Sequence, residues 1–263
     1  MKLPIIQSLW IGDRLSALER LSLASFLHHG HVVHLYVYDN VAHVPEGVVL
    51  QDATTVLPAA RIFKYRKRDS YAGFSNLFRY KLLHERGGCW TDVDLICLAP
   101  IADHTGHRFV SERIGVARRR RGWWRRWWQR LHVRECASGS AKQSCVTTCF
   151  IQTPAGSSIM ASCYRKADQM DPKTLKWGET GPQLLAKEVA QFNLGSCVAP
   201  PEMFCPIACC NWRQAIEANP AANLLDGAQC LHLWHEMWRR NQVDKNGVFA
   251  ASSIYEQLKR RYL

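Results

Sequence analysis

The sequence predicts an α/β protein built on a parallel sheet, and three observations carry that prediction. An apolar run near the start, PIIQSLWIG, precedes an amphipathic stretch, DRLSALERLSLASFLHHG, and a β-branched and aromatic run, VVHLYVYDN, from Val32 to Asn40. Strand, helix and strand at this spacing form a βαβ unit, whose crossover sets the strands parallel. The composition, 47% hydrophobic and 21% charged over 263 residues, is that of a folded protein rather than a disordered one. The chain is read as one domain over residues 1–263.

Each element has its own signal. In the first helix Leu15, Leu18 and Leu21 recur with helical period, polar Ser22 and Ser25 fall between, and Gly30 is the stop. GVVLQDA is a third, weaker strand. SNLFRYKLLHERGG reads as a helix with Ser75 as its N-cap, an apolar stripe of Leu77, Phe78, Leu82 and Leu83, and Gly87 and Gly88 as its end. CWTDVDLICL follows as a strand. Beyond Pro100, TTCFIQT is a strand, SSIMASCYRKAD a helix, and ETGPQLLAKEVAQF a helix with Thr180 or Gly181 at its cap and Pro182 in the first turn. CLHLWHEMW reads as a late strand, and SSIYEQLKRRYL as a terminal helix with basic residues at its C-terminal end.

Composition excludes several classes. No apolar run approaches the roughly 18–20 residues of a spanning helix. MKLPIIQSLWIG runs into Gly12, Asp13 and Arg14 without a small-residue cleavage pattern, so it reads as a first strand rather than a signal peptide. The expected location is cytoplasmic, with peripheral contact at the inner membrane face. The 11 cysteines are odd in number and are read as reduced, structural thiols. Cys136, Cys145 and Cys149, or Cys205, Cys209 and Cys210, have a zinc-like density but contain no paired C-x2-C knuckle.

Asp92 and Asp94, one residue apart after a glycine pair, are the first chemical signal. In an extended segment both point to one face, where their repulsion calls for an outside cation. Hard divalent ions bind carboxylate oxygens and share their remaining positions with substrate phosphates. Taken alone, the pair reads equally well as two solvated strand-end acids.

The longer pattern FSNLFRYKLLHERGGCWTDVDL resembles the DXD-containing GT-A-type sugar-nucleotide glycosyltransferases. Their relatives include the yeast initiating α-mannosyltransferase, α-1,4-galactosyltransferase and the glucosyltransferase domains of large clostridial toxins. Ser75, Arg79, Gly87, Gly88, Trp90, Asp92 and Asp94 match in order and spacing, while Asn76 stands where the family usually has Asp. IIQSLWIG is similar to the family's first strand, ETGPQLL to its Thr-Gly-Pro region, and HLWHEMW to its late His-x-Trp segment.

The resemblance implies a GT-A (Rossmann-like) fold, a mixed, mainly parallel central sheet flanked by helices. It implies a metal site of Asp92, Asp94 and His232, with Asp94 as the inner ligand and Mn2+ (or Mg2+) as the ion. It also implies donor contacts from Trp10, Ser75, Asn76, Arg79, Trp90 and Trp234. Asp92, Asp94, Asn76 and Glu179 are the expected residues at the reaction centre, with Gln183 a further sugar contact. A neutral imidazole at His232 favours Mn2+ over Mg2+. Asn76 offers a donor and an acceptor but lacks the two acceptor oxygens of a carboxylate, which bears on the choice of donor.

The net charge of +12 is concentrated in one place. Arg118 to Arg130, RRRRGWWRRWWQR, holds seven arginines and no acid, within an insertion assigned to about 112–140. Trp123, Trp124, Trp127 and Trp128 interleave with the arginines, a pattern suited to an anionic membrane surface. Packing of these tryptophans on the protein itself is the competing reading, and stacking on nucleic acid is disfavoured.

The expected activity is metal-dependent transfer of a hexose-type sugar, with retention, from a nucleoside diphosphate donor, expected to be a UDP-sugar. The acceptor is expected to be a glycan or a lipid-linked acceptor of the kind used in polysaccharide biosynthesis. The alternative is a peripheral membrane or nucleic-acid-binding protein on a degenerate transferase scaffold, working through the Arg/Trp segment.

Overall fold

The computed structural model describes residues 3–66, 68–113 and 144–263. The Arg/Trp segment, from Arg118 to Arg130, and Cys136 lie outside them.

A seven-stranded sheet runs through the molecule. Its strands are β1 (Ile6–Trp10), β2 (Val33–Val37), β3 (Val48–Asp52), β4 (Gly88–Thr91), β6 (Arg108–Arg113), β7 (Ser144–Thr153) and β8 (Val198–Ala199), in the order β3-β2-β1-β4-β7-β6-β8. Only β7 runs antiparallel to its neighbours. The expected βαβ unit is present, with α1 (Ala17–His28) joining parallel β1 and β2. A separate ribbon pairs β5 (Leu95–Cys97) with β9 (Cys230–His232), antiparallel.

Strand alternation explains the two cores. Ile6, Val33, Leu35, Cys89, Val110 and Phe150 face one side, toward α1, the ribbon and α7 (Ile254–Tyr262). Leu9, Tyr36, Trp90, Phe109 and Ile151 face the other, toward α2 (Ala72–Arg86), α3 (Ser158–Asp168) and α4 (Pro182–Gln191). Both faces are thus covered, as a mainly parallel sheet requires.

Helix ends follow their sequence signals in most places. Ser16 and Glu19 close a capping box on α1, and Ser253 caps α7 through the backbone N–H of Glu256. Gly181 precedes Pro182 at the start of α4. Ser22 and Ser25, which read as the polar side of α1, are fully buried. Ser22 Oγ donates to Leu95 O at 2.7 Å, and Ser25 Oγ accepts from Cys97 N at 2.8 Å, so the two hydroxyls satisfy a backbone edge of β5 that no strand covers.

Three expectations are corrected. Ser75 is not an N-cap: α2 starts a turn earlier, at Ala72, and the Ser75 hydroxyl turns to Arg79 instead. CWTDVDLICL is not one strand, because the chain turns at Asp92–Leu95 between β4 and β5, closed by Leu95 N donating to Asp92 O at 3.2 Å. HLWHEMW leaves the extended state after His232: Trp234 is left-handed, with φ 59°, and His235–Arg240 forms the short helix α6, after α5 (Pro201–Phe204). The strand β6 also reaches Arg113, so residues 112 and 113, at the edge of the span assigned to the insertion, pair in the sheet.

The ten described cysteines are all free thiols. Among the described residues Cys205, Cys209 and Cys210 do not gather, and the other zinc-like set includes Cys136, outside those residues. Cys149 and Cys205 instead lie 3.7 Å apart, next to His232.

Gly87 directs the chain from α2 into β4 at φ +64°, and a Cβ there would stand 2.3 Å from Ala155 N and 2.8 Å from Pro154 C. Both the conformation and the close backbone approach demand glycine. Gly87→Ala is expected to lower the free energy of unfolding by about 2–3 kcal/mol, read by urea denaturation; a loss under about 0.5 kcal/mol, the scale of a neutral surface change, would contradict this account.

Candidate active site

A cleft of about 470 Å³ opens at the carboxyl ends of β1, β4 and β6, where ligands gather in open α/β sheets. Two carboxylates at its centre are held in complementary ways.

Asp92 sits in the turn after β4, its backbone N–H donating to Cys149 O at 2.8 Å. Its Oδ1 accepts from Trp90 Nε1 at 3.0 Å and pairs with Arg79 Nη2 at 3.0 Å. Arg79 is itself buried, held by Ser75 Oγ at 3.0 Å and by the Thr148 carbonyl, with its guanidinium 4.7 Å from the Trp90 ring centroid. A helix side chain, a strand carbonyl and an indole thus fix one carboxylate oxygen.

Asp94 is 8% exposed and anchored from the other end of the chain. Its backbone carbonyl accepts from Leu233 N at 2.9 Å, continuing the β5–β9 ladder, and its Oδ2 accepts from His235 N at 2.8 Å. His232 Nε2 lies 3.3 Å from the same Oδ2. Burial acts to raise the Asp94 pKa, but the neighbouring His232 charge and the hydrogen bonds outweigh it and hold the carboxyl well below its usual range. Burial likewise acts to neutralise His232, and the negative charge of Asp94 reverses this and raises its pKa.

Among the described residues no hydrogen bond reaches Asp92 Oδ2 or Asp94 Oδ1. One ligand atom each from Asp92, Asp94 and His232 lie within 4.8 Å of one another, and His232 Nδ1 is buried without a partner. Two free carboxylate oxygens beside an imidazole fit a divalent cation. His232 can join them once its proton leaves; while protonated it stays an ion-pair partner of Asp94.

The other expected residues distribute unevenly. Trp10 lines the cleft at the end of β1, its Nε1 buried without a partner and Lys245 Nζ 5.6 Å from its ring centroid. Ser75, Asn76, Trp90, Gln183 and Trp234 also line it. Asn76 Nδ2 reaches Thr180 Oγ1 at 3.4 Å, so α2 and the start of α4 meet there. Trp234 donates from Nε1 to Ile207 O at 2.8 Å and packs its ring against His232. Glu179 does not line the cleft; its carboxylate accepts from Lys176 N at 2.9 Å and closes a local turn.

Sequence reading missed two features of the wall. Arg68, Arg239 and Arg240 share the single carboxylate of Glu236, at 3.3, 2.9 and 2.7 Å, and Arg68 and Arg240 both face the Trp177 ring. Positive charge in excess of its partner suits a phosphate-bearing ligand. Glu112, on β6, is the second: a buried carboxyl in the phase of Val110, a strand position whose inward direction alternation alone could have revealed.

Comparison with known proteins agrees with the chemistry of this cleft. The family model "Glycosyltransferase sugar-binding region containing DXD motif" matches residues 38–111. No curated protein matches the chain. Among solved structures, a PaToxG glycosyltransferase is similar at 13% identity and a TM-score of 0.47, over 73% of this chain and 72% of that one. A transferase with two cysteine-to-serine substitutions is similar at 10% identity and a TM-score of 0.42, over 72% of this chain and 84% of that one. The matched region contains α2, the glycine pair and both carboxylates of the cleft.

Proposed function

We propose that the enzyme transfers a hexose-type sugar from a nucleoside diphosphate donor, a UDP-sugar by preference, to a glycan or lipid-linked acceptor, with retention and with a divalent cation. The observation that carries this reading is the pair of uncommitted oxygens, Asp92 Oδ2 and Asp94 Oδ1, beside His232 in one cleft. Asp92, Asp94 and deprotonated His232 would hold the cation, and the imidazole favours Mn2+. A cation so held supplies neutralisation of the charge that grows on the departing diphosphate.

The remaining work falls to this chain's own side chains. Arg79 and Trp90 keep Asp92 from rotating. The arginines around Glu236 offset diphosphate charge, Trp10 offers an indole face and N–H to the nucleoside, and Asn76 offers its amide to the sugar. The acceptor hydroxyl oxygen then bonds to the anomeric carbon on the face the diphosphate leaves, and the diphosphate departs with the bonding electron pair and takes up the hydroxyl proton.

Two outcomes test this. With UDP-sugar and Mn2+ the wild type is expected to melt at a higher temperature than in EDTA, since ligand binding to the native state alone stabilises it. Asp94→Asn is expected to lose that shift. Because the Asp94 carboxylate also accepts from His235 N and pairs with His232, the variant is expected to start from a lower melting temperature, so each protein is compared with its own unliganded baseline. A full shift in Asp94→Asn would remove the assignment.

Arg79→Gln leaves both carboxylates in place but frees Asp92, and is expected to weaken Mn2+ binding about 10–100-fold, the usual cost of losing an outer-shell partner. Titration of Mn2+ followed by its paramagnetic resonance signal reads this directly. Unchanged affinity would mean that Arg79 serves the fold alone.

A further inference from the structure

Protein interiors leave few buried polar atoms without a partner. Among the described residues three such atoms belong to this cleft: Trp10 Nε1, His232 Nδ1 and Glu112 Oε2. The first two fall on residues the family pattern already marks. Glu112 falls on none.

Glu112 is poorly explained as a structural residue. It is 8% exposed, and among the described residues its one hydrogen bond is a weak one from Cys145 Sγ to Oε1, at 3.5 Å, from the residue opposite it on β7. No cation pairs with it among the described residues. A carboxyl so buried and so little supported destabilises the fold relative to an apolar residue of similar size. Burial pushes it up to about 7, against the lowering influence of His232, so its desolvation is felt even with that charge nearby. Burden without structural return is characteristic of a group kept for a ligand.

Its place in the sheet says which part of the ligand. The strand order β1-β4-β7-β6 lays the cleft out in sequence. Trp10 stands at the end of β1, the two aspartates follow β4, and Glu112 lies two strands farther, near the end of β6. A nucleoside diphosphate with its phosphates at Asp92 and Asp94 and its base toward β1 directs the attached sugar toward β7 and β6.

We propose that Glu112 Oε2 accepts a hydrogen bond from a hydroxyl of the transferred hexosyl group, making Glu112 a determinant of which sugar the enzyme takes. This rests on the nucleotide-sugar reading given above. The match is chemical: a sugar presents several hydroxyl donors in a fixed geometry, and a buried carboxyl oxygen without a donor rejects a sugar whose hydroxyl points elsewhere.

The test compares free nucleoside diphosphates with their sugar conjugates. Calorimetric titration with Mn2+ would use UDP, GDP, UDP-glucose, UDP-galactose, UDP-N-acetylglucosamine and GDP-mannose on wild type, Glu112→Gln and Glu112→Met. Both variants are expected to bind the free nucleotide within about twofold of wild type, which corresponds to less than 0.5 kcal/mol. They are expected to lose about 10–100-fold for the preferred conjugate, the range for a hydrogen bond to a charged group, and to flatten the preference between epimers. Their melting temperatures are expected to equal or exceed that of wild type, because a buried carboxyl has been removed.

Equal weakening toward nucleotide and conjugate, with a lower melting temperature, would assign Glu112 to the fold and overturn the proposal. An unchanged preference among sugars would overturn it as well, as would a wild type that binds conjugates no better than free nucleotides. A wild type that binds no nucleotide with Mn2+ would instead overturn the nucleotide reading, and this inference with it.

Discussion

The pairing of β5 with β9 is the contact on which the active cleft depends. Leu95 opposes His232 in that ribbon, and the next rung, Leu233 N to Asp94 O, brings residues far apart in sequence to one point. Because side-chain direction alternates along a strand, a slip of one residue would turn His232 away from Asp94. The register is secured from behind by Ser22 and Ser25 of α1, whose hydroxyls serve the exposed backbone of β5, and by Leu231 and Cys230 in the core. The first helix of the chain therefore helps to position a histidine near its end.

Around that ribbon the charged groups form a connected set. Arg79 holds Asp92, His232 and His235 hold Asp94, and Glu236 gathers three arginines next door. Each charge of this set meets an opposite charge or a hydrogen-bond donor, as desolvation requires. What this arrangement leaves over is as informative as what it satisfies: one oxygen on each aspartate faces the cleft uncommitted. Preorganisation of this kind spares the binding step the cost of reorienting side chains.

Much of this was legible in the chain. The βαβ opening, the helix start at Gly181 and Pro182 and the glycine pair ending α2 all have local causes, and the structure has them where the sequence puts them. The spacing of Arg79, Trp90, Asp92 and Asp94 also named the centre of the cleft. Sequence reading failed where tertiary pairing overrides local preference. CWTDVDLICL has strand propensity throughout, yet it turns at Asp92 because β5 finds its partner in a ribbon outside the main sheet. Ser75 has the chemistry of a cap but spends its hydroxyl on Arg79. The Glu236 cluster was invisible because Arg68 and Arg240 meet only in three dimensions.

Asp94 has two employments, one in the fold and one in the cleft. Its backbone carbonyl and one carboxylate oxygen tie down the junction between β9 and α6, while the other oxygen is left to the cleft. Selection for folding alone would therefore keep an acid at this position in a descendant whose cleft had lost its ligand. In deep mutational surveys the position would score as intolerant by protein abundance as well as by activity. Asp92, more exposed and tied through a single oxygen, is the acid whose retention reports on chemistry, and its drift would be the earlier mark of an enzyme turning into a scaffold.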